Sequence, residues 1–173
     1  MKRKGDRPVA PTVRNCPAET LLFSMPVEIV RRAAGRKFSS RGLKQVALAV
    51  LQLTEQQDAE LSLALTGNAE MQELNARYRH KDYPTDVLSF PSAKNLPAEA
   101  RLLGDVIISV DKAAEQAKER QRTLDQEMAT LLIHGIVHLL GYDHERSAKD
   151  ARIMTRMEKK MARQLCDLGL LQV

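Results

Sequence analysis

The sequence predicts an α+β domain in which a small mixed four-stranded sheet packs with about five or six helices. The chain has 173 residues, of which 43% are hydrophobic and 28% charged, as expected for one soluble domain with a substantial core. Short segments that alternate apolar and polar residues are interleaved with longer segments of helical spacing. No internal repeat or low-complexity tract divides the chain.

Four segments have the alternation and the bounding turn residues that are typical of strands. The predicted strands are residues 27–30, 61–65, 87–90 and 106–110. Between the last two, residues 91–103 contain two prolines and are predicted to form a loop.

Five segments have helical spacing of apolar residues. The predicted helices are residues 41–51, 68–79, 111–122, 123–140 and 147–168. Asn68 is expected to cap the second helix, and the sequence from Thr123 to Gln126 has the pattern of a capping box.

The positive charge is concentrated at the start of the chain. Residues 1–44 carry eleven Lys and Arg against three acidic residues, whereas the other 129 residues carry sixteen against nineteen. We expect residues 1–25 to be a flexible basic extension and residues 26–173 to form the functional domain. The extension could attract a polyanion or could be a solvated tail that aids solubility. Because the chain has only six aromatic residues, RNA contacts are expected to involve mainly phosphates.

Cysteine usage and hydropathy predict the compartment. Cys16 and Cys166 lie near opposite ends of the chain and form no framework spacing, which favours a reducing environment. No apolar run approaches the roughly 18 residues of a membrane span, and no apolar stretch follows the basic N-terminus. We therefore expect a soluble cytoplasmic protein without a membrane partner.

Three of the four histidines lie within eleven residues and predict a metal site. His134 and His138 are four residues apart on a predicted helix, so their rings project from one face. Gly141 can adopt a left-handed conformation that ends the helix and brings His144 back toward them. Three neutral imidazoles leave one coordination position open, as in catalytic zinc sites. The alternative is that the three rings only pack or cap.

The residue after the first histidine argues against a peptidase. The spacing is that of the metzincin peptidases, which carry a glutamate directly after the first histidine as general base. Gly135 occupies that position here and cannot accept a proton. Glu127 lies two helical turns earlier, about 10 Å along the axis, which is too far to replace it. Asp143 and Glu145 could orient a ligand imidazole or could be ordinary turn residues.

A second cluster lies at the end of the helix 68–79. It consists of Arg77, Arg79, His80 and Lys81, followed by Pro84, Thr85 and Asp86. Cations are favoured at a helix C-terminus by the helix dipole, and Thr85 and Asp86 are common turn residues. From the residues alone, this is a basic cluster beside a strand.

The two clusters together resemble the YbeY endoribonucleases. The stretch from His134 to His144 matches the family signature His-Gly-x-x-His-Leu-x-Gly-Tyr-Asp-His. A second signature, Leu-Asn-x-x-Tyr-Arg followed by Pro-Thr-Asp-Val-Leu-Ser-Phe-Pro, is matched at residues 74–79 and 84–91. The family's Gly-Asp pair is matched at residues 104–105, and the resemblance extends from about residue 27 to about residue 170. His80 stands where many members have glycine, so no role is assigned to it.

The resemblance implies a zinc-dependent endoribonuclease that acts on single-stranded RNA. It implies that His134, His138 and His144 hold one Zn²⁺, and that Arg79 corresponds to a functionally important arginine. The implied roles are ribosomal RNA maturation, notably at the 3′ end of the small-subunit RNA, and ribosome quality control. The implied partners are ribosomal RNA, the small ribosomal subunit and the Era GTPase.

The chemistry of the residues agrees with phosphodiester cleavage. Zinc lowers the pKa of bound water toward about 7, and an arginine can stabilise charge on phosphate oxygens. We hypothesise that the metal held by His138 and its partners acts with Arg79 as the catalytic centre. The alternatives are a metal-binding ribosome assembly factor with little hydrolytic activity and a peptidase.

Overall fold

A computed structural model describes residues 26–33, 35–92 and 101–172 of the chain. Within these ranges the strands are β1 (Val27–Arg31), β2 (Glu60–Thr66), β3 (Val87–Pro91) and β4 (Leu102–Ser109). The helices there are α1 (Ser40–Leu53), α2 (Asn68–Arg79), α3 (Val110–Glu119), α4 (Leu124–Leu139) and α5 (Ala148–Asp167). The predicted α+β class with a mixed four-stranded sheet is confirmed. The predicted extension at residues 1–25 lies outside the described residues.

The sheet has the strand order β1-β2-β4-β3. Strands β1, β2 and β4 run parallel, and β3 pairs antiparallel with β4 at the edge. The register aligns Leu63 with Val106 and Val106 with Ser89, so these three side chains share one face of the sheet. That face is covered by α4, which contacts both β3 and β4.

Strand β4 is longer than predicted. The predicted loop at 91–103 was wrong at both ends, because Pro91 pairs with Gly104 and Leu102 pairs with Glu60. Residues 102–105 do not alternate apolar and polar residues, so only pairing with the neighbouring strands reveals them as a strand. Gly104 has φ +139°, and a Cβ atom there would lie 2.3 Å from the carbonyl oxygen of Phe90.

Four of the five described helices begin at a hydroxyl side chain that accepts a backbone N–H. These N-caps are Ser39, Ser109, Thr123 and Ser147, and the predicted capping box at Thr123 and Gln126 is present. The expectation that Asn68 caps α2 was wrong. The N-cap is Gly67, and the Asn68 side chain accepts a hydrogen bond from Ser109 Oγ while its backbone N–H donates to Asp111.

Helix α4 is the central element of the core. It contacts α1, α3 and α5 as well as the sheet, and ten of its sixteen residues are buried. None of the helices in the described ranges is long and apolar enough to cross a membrane. At Gly135, the backbone of α4 packs closely against the sheet. A Cβ atom there would lie 2.7 Å from Val106 Cγ1 and 3.2 Å from Ser89 Oγ.

We predict that Gly135→Ala destabilises the protein by about 1–2 kcal/mol net, because the added methyl group overpacks the contact with Val106 at a cost toward the upper end of about 1–3 kcal/mol. This cost outweighs the roughly 1 kcal/mol that alanine gains over glycine inside a helix. The free energy of unfolding is to be measured by denaturant titration. In the background of Val106→Ala, which removes the opposing methyl groups, the same change should lose most of its cost. An equal cost in both backgrounds would contradict this account.

Candidate metal centre

The structure brings His134, His138 and His144 together. The first two lie one turn apart on α4, and the third lies in the loop that follows. One ring nitrogen of each lies within 4.8 Å of the others, and the ring centroids are 4.7–5.3 Å apart. Within the described ranges these side chains form the group of His, Cys, Asp and Glu residues that could hold a metal ion.

A Schellman turn after α4 returns the chain toward the helix. Gly141 has φ +92°, as its position in the sequence predicted, and its N–H donates to the carbonyl of His138 at 2.9 Å. The N–H of Tyr142 donates to the carbonyl of Val137 at 3.3 Å. This 6→1 and 5→2 pair of hydrogen bonds reverses the chain direction, and His144 follows two residues later.

The imidazole of His138 is suited to ligate a metal at neutral pH. Burial lowers the pKa of His138, and the neighbouring His134 and His144 lower that pKa further. The neutral imidazole keeps a free ring nitrogen for an ion.

Glu158 on α5 orients the first histidine. Its Oε1 lies 2.6 Å from Nδ1 of His134, and both side chains are about one-quarter exposed. When Nδ1 donates its proton to the carboxylate, Nε2 of His134 has a free lone pair for a metal. Glu158 is not among the residues that the sequence pattern pointed to. It is one of many charged residues on an amphipathic helix, and no local spacing connects it with His134.

Arg79 is connected to the loop that carries His144 by an ion pair with Glu145. Its Nη2 donates to both carboxylate oxygens of Glu145, at 2.7 and 2.6 Å, and Glu145 directly follows His144. This contact joins the end of α2 to the loop after α4. Among the described residues, Nε and Nη1 of Arg79 have no partner.

The acidic residues considered from the sequence have other contacts. Asp143 does not contact a histidine by a hydrogen bond; its carboxylate accepts from the backbone N–H of Glu145 and from Arg146. Glu127 is fully buried and pairs with Arg120, away from the three histidines.

The segment after α2 is held by a buried asparagine. Asn75 is 1% exposed, its Nδ2 donates to the carbonyl of Tyr83 at 2.7 Å, and its own carbonyl accepts the N–H groups of His80 and Lys81. His80 adopts the left-handed conformation, with φ 57° and ψ 33°. Glycine adopts this conformation at low cost, which explains why glycine suits position 80.

Asp86 is the last residue of the segment between α2 and β3. Burial by itself would raise the pKa of Asp86, but hydrogen bonds from Gln116, the backbone N–H of Val87 and Thr85 outweigh burial and lower the pKa. The ionised carboxylate thereby fixes the entrance of β3 against α3. Thr85 and Asp86 therefore act as turn-forming residues.

A groove of about 820 Å³ between α4 and α5 has His134 and Glu158 in its lining. Its floor includes Leu131, Ile133 and Ala162. Arg120 lines the groove but is paired with the buried Glu127. The other charged residues of the lining are the cations Arg122, Lys159 and Arg163 and the acids Asp86 and Glu158. A groove with this excess of positive charge can attract a polyanion toward the histidines.

The donor set fits a zinc ion. Three imidazoles suit zinc, the contact with Glu158 leaves Nε2 of His134 to bind, and three protein ligands leave one position for water or substrate. Imidazole also suits copper, nickel and iron, so the donor set supports a metal site more strongly than one particular metal.

The family model described as Endoribonuclease YbeY matches residues 29–166 of this chain. The chain belongs to the YbeY family of endoribonucleases. The matched range contains the three histidines, Arg79 and Glu158, so the whole candidate centre lies within the part that defines membership. The predicted family resemblance is thus confirmed.

Curated relatives and a solved structure agree with this membership. An Endoribonuclease YbeY from Sulfurihydrogenibium sp. (strain YO3AOP1) is 42% identical over 141 residues, which cover 81% of this chain and 93% of the relative. An Endoribonuclease YbeY from Persephonella marina is 40% identical over 77% of this chain and 88% of the relative. The solution structure of TM1509 from Thermotoga maritima is similar with a TM-score of 0.54 and 29% identity, covering 78% of this chain and 85% of that chain.

We predict that Glu158→Gln weakens zinc binding by about 10- to 100-fold, because a neutral amide no longer supports the charge that develops on a metal-bound imidazole. The dissociation constant is to be measured by competition with a chromogenic chelator. Glu115→Gln is the matched control, since Glu115 is an exposed acid on α3 that pairs with Lys112. Equal affinities for both variants would contradict the orienting role of Glu158.

Proposed function

We propose that this chain is a zinc-dependent endoribonuclease that cleaves single-stranded RNA. The observation that supports this most is the three-histidine cluster beside a basic groove, in a chain of the YbeY family. In this proposal His134, His138 and His144 hold the metal, and Arg79 contacts the scissile phosphate. A phosphate chain follows the groove, where Arg122, Lys159 and Arg163 neutralise its charge.

Zinc, when bound, would supply Lewis acidity toward a phosphate oxygen and would lower the pKa of a bound water molecule to about 7. The protein's own groups position the reaction. Glu158 orients the ring of His134, and Arg79 offers Nε and Nη1 to the non-bridging oxygens, where negative charge develops. Because residue 135 is glycine, α4 carries no carboxylate at the position after His134 and provides no general base of the metzincin type.

The proposal extends to the process and the partners that the family resemblance implies. The substrate is ribosomal RNA, with maturation of the 3′ end of the small-subunit RNA and ribosome quality control as its roles. The small ribosomal subunit and the Era GTPase are the proposed partners, and the cytoplasm is the proposed compartment.

Cleavage of single-stranded RNA by the purified full-length protein, with and without a strong chelator, tests this function. We expect cleavage that the chelator abolishes and added zinc restores. His138→Ala should bind no zinc and cleave at background level, because one of three ligands is lost. His80→Asn is the control, since the fourth histidine lies outside the cluster and asparagine tolerates a left-handed conformation. Cleavage that survives metal removal would contradict the proposal, and a zinc-loaded protein without activity would favour an assembly factor.

We predict that Arg79→Ala retains zinc but lowers kcat for RNA cleavage by about 100- to 1,000-fold, the usual loss when a donor to a developing oxyanion is removed. Arg79→Lys should recover part of this loss, since it restores the charge without the planar donor group. Glu145→Gln separates the two roles of Arg79. It removes the ion-pair partner and leaves the guanidinium, so most activity should remain. A loss in Glu145→Gln as large as that in Arg79→Ala would show that Arg79 only holds the loop.

A further inference from the structure

An exposed aromatic patch lies at the C-terminal end of α2, outside the groove described above. Tyr78 is 52% exposed, and its ring contacts Phe90 of β3 edge-on, with centroids 4.9 Å apart and an interplanar angle of 67°. The guanidinium carbon of Arg77 lies 5.4 Å from the Tyr78 ring centroid, within the range of a cation–π contact. A tyrosine that is half exposed beside a buried sheet offers ring surface that the fold does not use.

This patch is next to the candidate centre. Tyr78 directly precedes Arg79, whose guanidinium contacts Glu145, the residue after His144. The Cα atoms of Tyr78 and Arg79 are about 3.8 Å apart, but their side chains leave the helix about 100° apart and have different partners. A flexible strand whose phosphate contacts Arg79 can therefore bring the base of a neighbouring nucleotide to Tyr78.

The charge around Tyr78 favours a nucleic acid over an apolar protein partner. Residues 77–81 include three Arg and Lys and no acid. Proteins that bind single-stranded nucleic acids combine such cations, which contact the phosphates, with aromatic rings on which bases stack. The sequence predicts RNA contacts mainly through phosphates, because aromatic residues are few. The fold changes that expectation by placing two of them, from α2 and β3, in contact.

We propose that Tyr78, supported edge-on by Phe90, stacks against an unpaired nucleobase of the RNA substrate, beside the nucleotide whose phosphate Arg79 contacts. This inference rests on the proposed endoribonuclease function. Arg77 contacts the phosphate next along the strand. Stacking on a tyrosine ring tolerates any base, because every base has a π-face, but it requires a base that is not paired within a duplex. Tyr78 thereby contributes a preference for single-stranded RNA without a preference for base identity.

The test compares Tyr78→Leu with Tyr78→Phe in the zinc-loaded full-length protein. Phenylalanine keeps the aromatic ring, whereas leucine keeps only an apolar side chain against Phe90. For a 12-nucleotide single-stranded RNA, we expect KM in Tyr78→Leu to rise roughly 5- to 100-fold and Tyr78→Phe to remain near wild type. Leu48→Ala on α1 is the control for loss of an exposed apolar side chain elsewhere.

A set of RNAs that each lack one base identifies the contact. Removing the base that stacks on Tyr78 should raise KM for the wild type. The KM of Tyr78→Leu should not change, because this variant has no aromatic ring on which the base could stack. Equal KM values for Tyr78→Leu and wild type on intact RNA would overturn the proposal. The proposal would also be overturned if KM in Tyr78→Leu exceeded the wild-type KM by the same factor on every base-lacking RNA. The effect of the substitution would then not depend on any base.

A binding measurement separates this proposal from the proposed function. RNA with 2-aminopurine at the identified position should lose fluorescence within milliseconds of mixing, before turnover, and this loss should be smaller in Tyr78→Leu. Wild-type protein that shows this Tyr78-dependent quenching but never cleaves would contradict the endoribonuclease function and leave the stacking site intact. Chelator-sensitive cleavage with no quenching at any position would contradict the stacking site alone.

Discussion

The close contact between α4 and the sheet is the constraint on which the rest of the structure depends. Gly135 has no side chain, so the helix backbone approaches Val106 and Ser89 more closely than any other residue would allow. Ser89 Oγ donates to the carbonyl of Gly135 at 3.1 Å and anchors the same point. Because His134 and His138 are on this helix, its seating on β3 and β4 decides where two of the three candidate ligands lie. The glycine that removes a metzincin-type base is therefore also a packing requirement.

The remaining parts of the candidate centre come from three different elements that converge on α4. The turn at Gly141 returns His144, α5 contributes Glu158, and α2 contributes Arg79 through Glu145. An exposed ion pair such as Arg79–Glu145 adds little to stability, about 0–1 kcal/mol. Its effect is positional, since it joins the two segments that carry the family signatures.

Two surfaces of different chemistry accompany the candidate centre: a groove lined by cations and an exposed aromatic pair. The groove along α4 and α5 is lined by cations and apolar side chains and includes His134. At the end of α2, Tyr78 and Phe90 present an aromatic surface beside Arg79. A flexible single strand can use phosphate contacts on one side and a stacking contact on the other, whereas a stiff duplex has its bases already stacked. In the proposed function, this arrangement would favour a single strand over a duplex.

The sequence by itself determined the class of fold, the family and the grouping of the three histidines. Those features depend on local rules: alternation for strands, capping residues for helices, spacing of four for His134 and His138, and a glycine for the left-handed turn at residue 141. The tertiary structure alone decided the contacts between distant segments. Glu158 meets His134 across 24 residues, Glu145 meets Arg79 across 66, and residues 102–105 become a strand only through their pairing with β2 and β3. The misassigned cap at Asn68 has the same cause, because Ser109 and Asp111 approach it from another strand and helix. Local spacing has no information about such contacts, since they arise from how α2, α4 and α5 pack around the sheet.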